Sequence, residues 1–246
     1  MNLRRLIASL PPLRRVGQWF VLGAALIALG ATGCITMTSD IDDGGDTSRF
    51  QDRQVVVVVH GMGRTGFSMR SLEHTLRDEG YEVVNWSYSS YCCSADELGD
   101  ELRADLELIA DGDPERIHFV GHSLGNIIVQ VALDGAPPES GGRFVMLAPP
   151  NHGSASADRY VDWLGWLLTP MEDLTTDDDS TVHHLEAPTH WDIGVIAGEY
   201  DGKVSIPESR HPAQDDHTVV PSRHTFIMTR DDVHQLTEAF LESGEF

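Results

Sequence analysis

Five consecutive valines, Val55 to Val59, constrain the fold more than any other feature of the chain. Branched side chains favour an extended strand, and without polar alternation both faces of that strand must be buried. Such a strand belongs in the middle of a mostly parallel sheet with helices on either side. The following sequence keeps the matching rhythm. Ser68 to Glu79, with Leu72 and Leu76 four apart and Gly80 behind them, reads as a crossover helix. Tyr81 to Tyr88 reads as a strand. Ser94-Ala95-Asp96-Glu97 is a capping box opening a helix through Leu98, Leu102, Leu106 and Ile109 until Gly112-Asp113-Pro114. Ile117 to Val120, Arg143 to Leu147 and Asp192 to Ala197 are further strands, and Asp232 to Leu241 is a last amphipathic helix. Strands alternating with helices imply an α/β, doubly wound, mostly parallel sheet.

Gly121-His122-Ser123-Leu124-Gly125 joins the strand at Ile117 to a second apolar run, Ile127 to Leu133. A serine on a tight strand-to-helix turn needs small residues two positions away on each side, where the backbone doubles back. Gly121 and Gly125 supply them. The turn exposes the Ser123 hydroxyl at the end of the sheet and aims a helix N-terminus at developing negative charge.

A serine hydroxyl is a weak nucleophile near neutral pH and needs a histidine to take its proton and an acid to orient that histidine. The acid is expected in a loop after a late strand. Asp201 follows Val195-Ile196-Ala197-Gly198 and has the apolar Val204 three residues on. Its competitors are Asp192, which opens a strand, and Asp215 and Asp216, in a polar loop. His224 lies shortly before the last helix, ahead of the apolar Phe226-Ile227-Met228. His211, His217 and His234 read as solvated surface histidines. An oxyanion needs two aimed backbone N–H groups, expected from Leu124 and from Met62 in the glycine turn His60-Gly61-Met62-Gly63.

Together with Arg64-Thr65 and Ala148-Pro149-Pro150-Asn151-His152-Gly153-Ser154, these motifs resemble the bacterial lipase and esterase branch of the α/β-hydrolase superfamily. They are also similar to the region shared with GPI inositol-deacylases. The resemblance covers Gln54 to Phe246. It implies that Ser123, Asp201 and His224 form a catalytic triad, that the substrate is a carboxylic ester, and that no metal or organic cofactor takes part. Asn126 departs from the second glycine of many relatives, and its side chain is expected to narrow the acyl pocket. Residues 151–191 are irregular, with Trp163, Leu164, Trp166, Leu167 and Leu168 bunched together, and read as a short cap. The run Asp177-Asp178-Asp179 reads as a solvated loop.

Ahead of the domain, Arg4, Arg5, Arg14 and Arg15 precede an uncharged apolar run from Val16 to Thr32 and then Gly33-Cys34. Basic, apolar and small residues in that order spell an export signal, residues 1–33. Ala31-Thr32-Gly33-Cys34 resembles a lipobox and implies lipidation of Cys34, with an uncleaved single-pass anchor as the alternative. Residues 34–53 read as a flexible tether and residues 54–246 as the catalytic domain. The net charge is −22, and without the four leading arginines 13 basic groups face 39 acidic ones, a balance of −26. Such a chain repels polyanions, which makes nucleic acid a poor candidate partner. Cys92 and Cys93 are adjacent, so they close a vicinal ring, remain as thiols on a loop, or pair one of the two across a dimer. The expected protein is therefore an exported, membrane-tethered serine esterase or lipase. An amidase, thioesterase or acyltransferase would use the same triad, and a binding lipoprotein would use only the fold.

Overall fold

The computed structural model describes residue 41, residues 46–91, 93–135 and 137–154, residue 185 and residues 191–246. The export segment with Cys34, the partner thiol Cys92, and the cap apart from Asn151–Ser154, Leu185 and Trp191 lie outside the described residues. Among the described residues no helix is long and apolar enough to cross a membrane.

Among the described residues six strands form one sheet in the order β2-β1-β3-β4-β5-β6, and every pair is parallel. They are β1 Gln54–Val59, β2 Glu82–Trp86, β3 Arg116–His122, β4 Gly142–Leu147, β5 Trp191–Gly198 and β6 Asp216–Val220. Among the described residues the α-helices are α1 Arg70–Asp78, α2 Ala95–Asp111, α3 Leu124–Leu133, the single turn α4 Ile206–Ser209, and α5 Asp231–Ser243. This is the α/β-hydrolase arrangement.

Successive residues of a strand point to opposite faces, and the valines of β1 divide accordingly. Val55, Val57 and Val59 join one core with Leu98, Leu102, Ile127 and Phe144, under α2 and α3. Val56 and Val58 join the other with Leu72, Leu76, Phe240 and Leu241, under α1 and α5. Burial on both faces is thus realised in one strand. The capping box of α2 is formed, with Glu97 N–H donating to Ser94 Oγ at 3.2 Å and Ser94 N–H to Glu97 Oε2 at 3.0 Å.

Three expectations are corrected. Asp216–Val220, expected as part of a polar loop, is the edge strand β6, paired with β5 from Gly194↔Asp216 to Gly198↔Val220. Its half-polar sequence matches an edge that one neighbour covers, and leaves no apolar period to read. Second, residues of the expected tether belong to the folded unit: Thr47–Phe50 forms a 3-10 turn and Phe50 is 1% exposed in the core. One aromatic anchors the turn, too little for a periodic signal. Third, His211 and His234 are buried and His217 is half-buried, not solvated. His234 Nε2–H donates to Met228 O at 2.9 Å, and its Nδ1 lies 3.0 Å from the Thr75 hydroxyl, so it ties α5 to the segment after His224 and to α1.

Burial lowers the pKa of His60, His118 and His211 from 6.5 to about 4. The unfolded chain takes up these protons near 6.5 and the folded chain only near 4. Their contribution is therefore complete above pH 6.5 and is lost as the pH falls toward 4, each group giving up about 1.4 kcal/mol for every pH unit crossed in that window. Urea midpoints are expected to drop steeply between pH 6.5 and 4. His118→Gln, which removes one of these groups, should flatten that slope; an unchanged slope would mean that the acid sensitivity lies elsewhere.

Candidate active site

The strand order reverses between β1 and β3, and a crevice at the C-terminal ends of the strands is the favoured ligand position at such a point. Ser123 follows β3 and the His60-Gly61-Met62-Gly63 turn follows β1, side by side. Ser123 has φ 52° and ψ −122°, a conformation that non-glycine residues rarely adopt. The surroundings hold it there: Ser123 N–H donates to Leu147 O at 3.0 Å, and its own carbonyl accepts from Asn126 N–H at 3.0 Å.

The two flanking glycines are each required by a close approach. A Cβ on Gly125 would lie 2.5 Å from the Val59 carbonyl oxygen and 2.6 Å from that of His60, both main-chain atoms that cannot move aside. A Cβ on Gly121 would lie 2.3 Å from Asn126 Oδ1. Asn126 itself is fully buried. Its Nδ2 donates to Ser123 O at 3.1 Å and Leu147 O at 3.2 Å, so its side chain braces the turn from inside instead of narrowing a pocket.

The structure brings Ser123, His224 and Asp201 together. His224 Nε2 is 2.9 Å from Ser123 Oγ, and His224 Nδ1 is 2.7 Å from Asp201 Oδ2. An ionised carboxylate only accepts, so Nδ1 carries the proton and Nε2 presents its lone pair to the hydroxyl. The other carboxylate oxygen, Oδ1, accepts from Lys203 N–H at 2.8 Å and Val204 N–H at 2.9 Å, which locks the acid in its turn after β5. His224 opens a 3-10 turn, His224–Thr229, whose Ile227 and Met228 are buried. The competing acids serve elsewhere. Asp192 pairs with Arg143, Asp215 accepts from Ile193 N–H, and Asp216 accepts from Phe246 N–H.

Met62 and Leu124 sit at the C-terminal ends of the adjacent strands β1 and β3, and neither backbone N–H donates to a protein acceptor among the described residues. The turn that carries Met62 is held from several sides. Gly63 N–H donates to the buried Ser90 hydroxyl at 2.8 Å, Tyr88 OH donates to His60 O at 2.8 Å, and the His60 ring stacks on Tyr88 at 4.2 Å. Sequence reasoning missed these supports, together with His122. The fully buried His122 donates from Nε2 to the main-chain carbonyl of His224 at 3.0 Å. Burial and the neighbouring His224 push its pKa well below the usual 6.5, so it is neutral. A Cβ on Gly61 would come within 2.7 Å of its ring, which explains that glycine. Only the position of these residues inside or beside the motifs could have drawn attention to them.

In the Asn151–Ser154 segment, Asn151 Nδ2 donates to Ser209 O at 3.0 Å and the Ser154 hydroxyl to Lys203 O at 2.6 Å, fastening it to the Asp201 turn. Among the described residues no group of three or more His, Cys, Asp or Glu side chains is arranged to hold a metal ion. Cys93 is buried.

The sequence profile of the alpha/beta hydrolase family matches residues 56–239. No curated protein sequence matches the chain. Among solved structures, the chain resembles the mature lipase BlEst2 of Bacillus licheniformis at a TM-score of 0.64 and 17% identity, over 79% of this chain and 93% of that one. It resembles the esterase Pf2001 of Pyrococcus furiosus at 0.62 and 18% identity, over 80% and 83%. A putative thioesterase from a Silicibacter species superposes at 0.56 and 20% identity, over 74% and 75%. At such identities the likeness is one of fold.

Proposed function

The chain belongs to the alpha/beta hydrolase family, and on that premise we propose that it is a serine hydrolase that cleaves carboxylic esters through an acyl-enzyme on Ser123. The observation that carries this reading is the continuous chain from Ser123 Oγ through His224 to Asp201, at 2.9 and 2.7 Å, with the acid pinned by two N–H groups. Ser123 Oγ attacks the ester carbonyl while His224 Nε2 takes its proton. The N–H groups of Met62 and Leu124 receive the charge that develops on the carbonyl oxygen. His224 then returns the proton to the leaving alcohol, and water repeats the sequence to release the acid. Asp201 steadies the imidazolium in both halves. The lipase and esterase among the structural neighbours favour an oxygen ester. The putative thioesterase among them keeps a thioester as the second reading, since the same acyl-enzyme would serve. The sequence pattern ending in Gly33-Cys34 supports an exported protein held to a membrane through a lipid on Cys34.

The test is pre-steady-state hydrolysis of p-nitrophenyl esters from acetate to palmitate by the full chain, beside labelling with a fluorophosphonate. The expected result is a burst of about one p-nitrophenol per chain and a phosphonyl adduct on Ser123. No turnover of any ester together with no adduct would overturn the reading and leave a binding protein.

Asn126→Ala is expected to remove both braces of the serine turn and leave two buried carbonyls with fewer donors. The stability loss should be about 2 kcal/mol in urea unfolding. The turnover number should fall roughly tenfold with KM little changed, because the hydroxyl would be less firmly placed. Equal activity would show that the backbone bonds alone hold the serine.

A further inference from the structure

Among the described residues the large exposed aromatic side chains all lie at one end of the sheet. Phe67 is 74% exposed, Tyr91 55%, Tyr200 60% and Phe226 62%. They follow β1, β2, β5 and β6 respectively, so all four lie beyond the C-terminal ends of parallel strands, at the end that carries Ser123. Charge is unevenly distributed as well. His60 to Leu72 and Thr218 to Arg230 contain no acidic residue, although 39 of the 246 residues are acidic, and they contain Arg64, Arg70, Arg223 and Arg230.

The fold joins these two segments. The 3-10 turn Gly66–Met69 packs against His224–Thr229. The Arg64 guanidinium lies 5.7 Å from the centre of the Phe226 ring, across the junction, and that of Arg70 lies 5.5 Å from the Phe67 ring. Neither arginine has a carboxylate partner among the described residues. At the opposite end of the sheet acidic groups outnumber basic ones, with Asp52, Glu79, Glu115, Glu238 and Glu242 beside Arg53 around one open groove, and Arg116 and Arg143 close by.

Two protruding phenyl rings, each beside a guanidinium that no carboxylate neutralises, suit a partner with an apolar interior and an anionic skin. A small soluble anion would pair with the arginines and leave the rings in water. An apolar protein face would cover the rings and bury unpaired charge. We propose that this rim docks on a lipid bilayer containing anionic phospholipid, with Phe67 and Phe226 entering the acyl boundary and Arg64 and Arg70 meeting headgroup phosphates. The proposal deepens the hydrolase reading by naming the phase that presents the ester, and it rests on that reading only for what happens after docking. The net charge of −22 does not forbid the approach. The Debye length in physiological salt is about 8 Å, whereas a strand of six residues spans about 20 Å, so the acidic end is largely screened from the surface.

The test uses the full chain carrying Ser123→Ala, so that no turnover occurs, and follows amide hydrogen exchange with vesicles of phosphatidylglycerol or of phosphatidylcholine. Exchange in residues 63–72 and 222–230 is expected to slow about tenfold or more on phosphatidylglycerol, with residues 79–83 and 238–246 unchanged. Phe67→Ser with Phe226→Ser should abolish the protection. Arg64→Gln with Arg70→Gln should raise the lipid concentration needed for it by roughly tenfold or more. If neither segment is protected, the docking is overturned and the rim is left to a protein partner; protection that survives both double substitutions overturns it too. Hydrolysis of soluble esters by the chain that keeps Ser123, without protection of the Ser123→Ala chain, would remove the docking alone, and protection of the Ser123→Ala chain without any hydrolysis by the chain that keeps Ser123 would remove the hydrolase reading alone.

Discussion

Ser123→Ala is expected to abolish ester hydrolysis and fluorophosphonate labelling, lowering kcat by roughly a millionfold, with the fold intact. Only the atom that forms the bond to the acyl carbon is removed. The hydrogen bond from the hydroxyl to His224 Nε2, 2.9 Å long, goes with it, and a net contribution of about 1 kcal/mol cannot unfold the domain. The backbone strain remains, because alanine at φ 52° and ψ −122° carries the same Cβ as serine. Ser123→Gly should relieve that strain and be more stable than Ser123→Ala by roughly 1–3 kcal/mol in urea unfolding. Both variants should be equally inactive. Residual hydrolysis by Ser123→Ala above about a thousandth of the parent rate would mean that another nucleophile serves the site.

Asp201→Asn is expected to cost about ten-thousandfold in kcat/KM, for a reason visible in the hydrogen bonds of the acid. Asp201 Oδ1 accepts from the N–H groups of Lys203 and Val204, an environment that only an oxygen satisfies. The amide oxygen of an asparagine would therefore take the Oδ1 position, and its NH2 would face His224 Nδ1. An NH2 group donates, so Nδ1 would have to accept, and the ring proton would move to Nε2. That nitrogen then presents a hydrogen to Ser123 Oγ where the mechanism needs a lone pair. Phosphonylation of Ser123 should slow by a similar factor, while circular dichroism stays unchanged. A loss below about a hundredfold would indicate that another acid orients the histidine.

Much of the site could be read from neighbouring residues in the chain. The turn at Ser123 announces itself through glycines at 121 and 125 between two apolar runs, and Asp201 through the strand that ends just before it. What escaped reading were contacts made across the chain by residues with no periodic pattern. His122 touches the carbonyl of His224, and Asn126 binds the carbonyl of Leu147, each through a single polar group. His234 has the sequence setting of a surface residue on an amphipathic helix, yet α1 and the turn at Met228 close over it. The edge strand β6 escaped for a related reason, since one covered side asks for less apolar sequence than two.

From the sequence by itself came the parallel sheet, the alternation of strands and helices, and the serine turn, because each is written in residues close together. Five valines need two buried faces, and a reversing backbone needs glycine, whatever the rest of the chain does. Only the tertiary structure decided which nitrogen of His224 faces Ser123, what pins Asp201, that Asn126 braces rather than lines, and that exposed rings and arginines without carboxylate partners share one rim. The first of those outcomes depends on side chains about a hundred residues apart meeting within 3 Å, as Ser123 and His224 do. Such distances are set by the packing of the whole sheet and its helices.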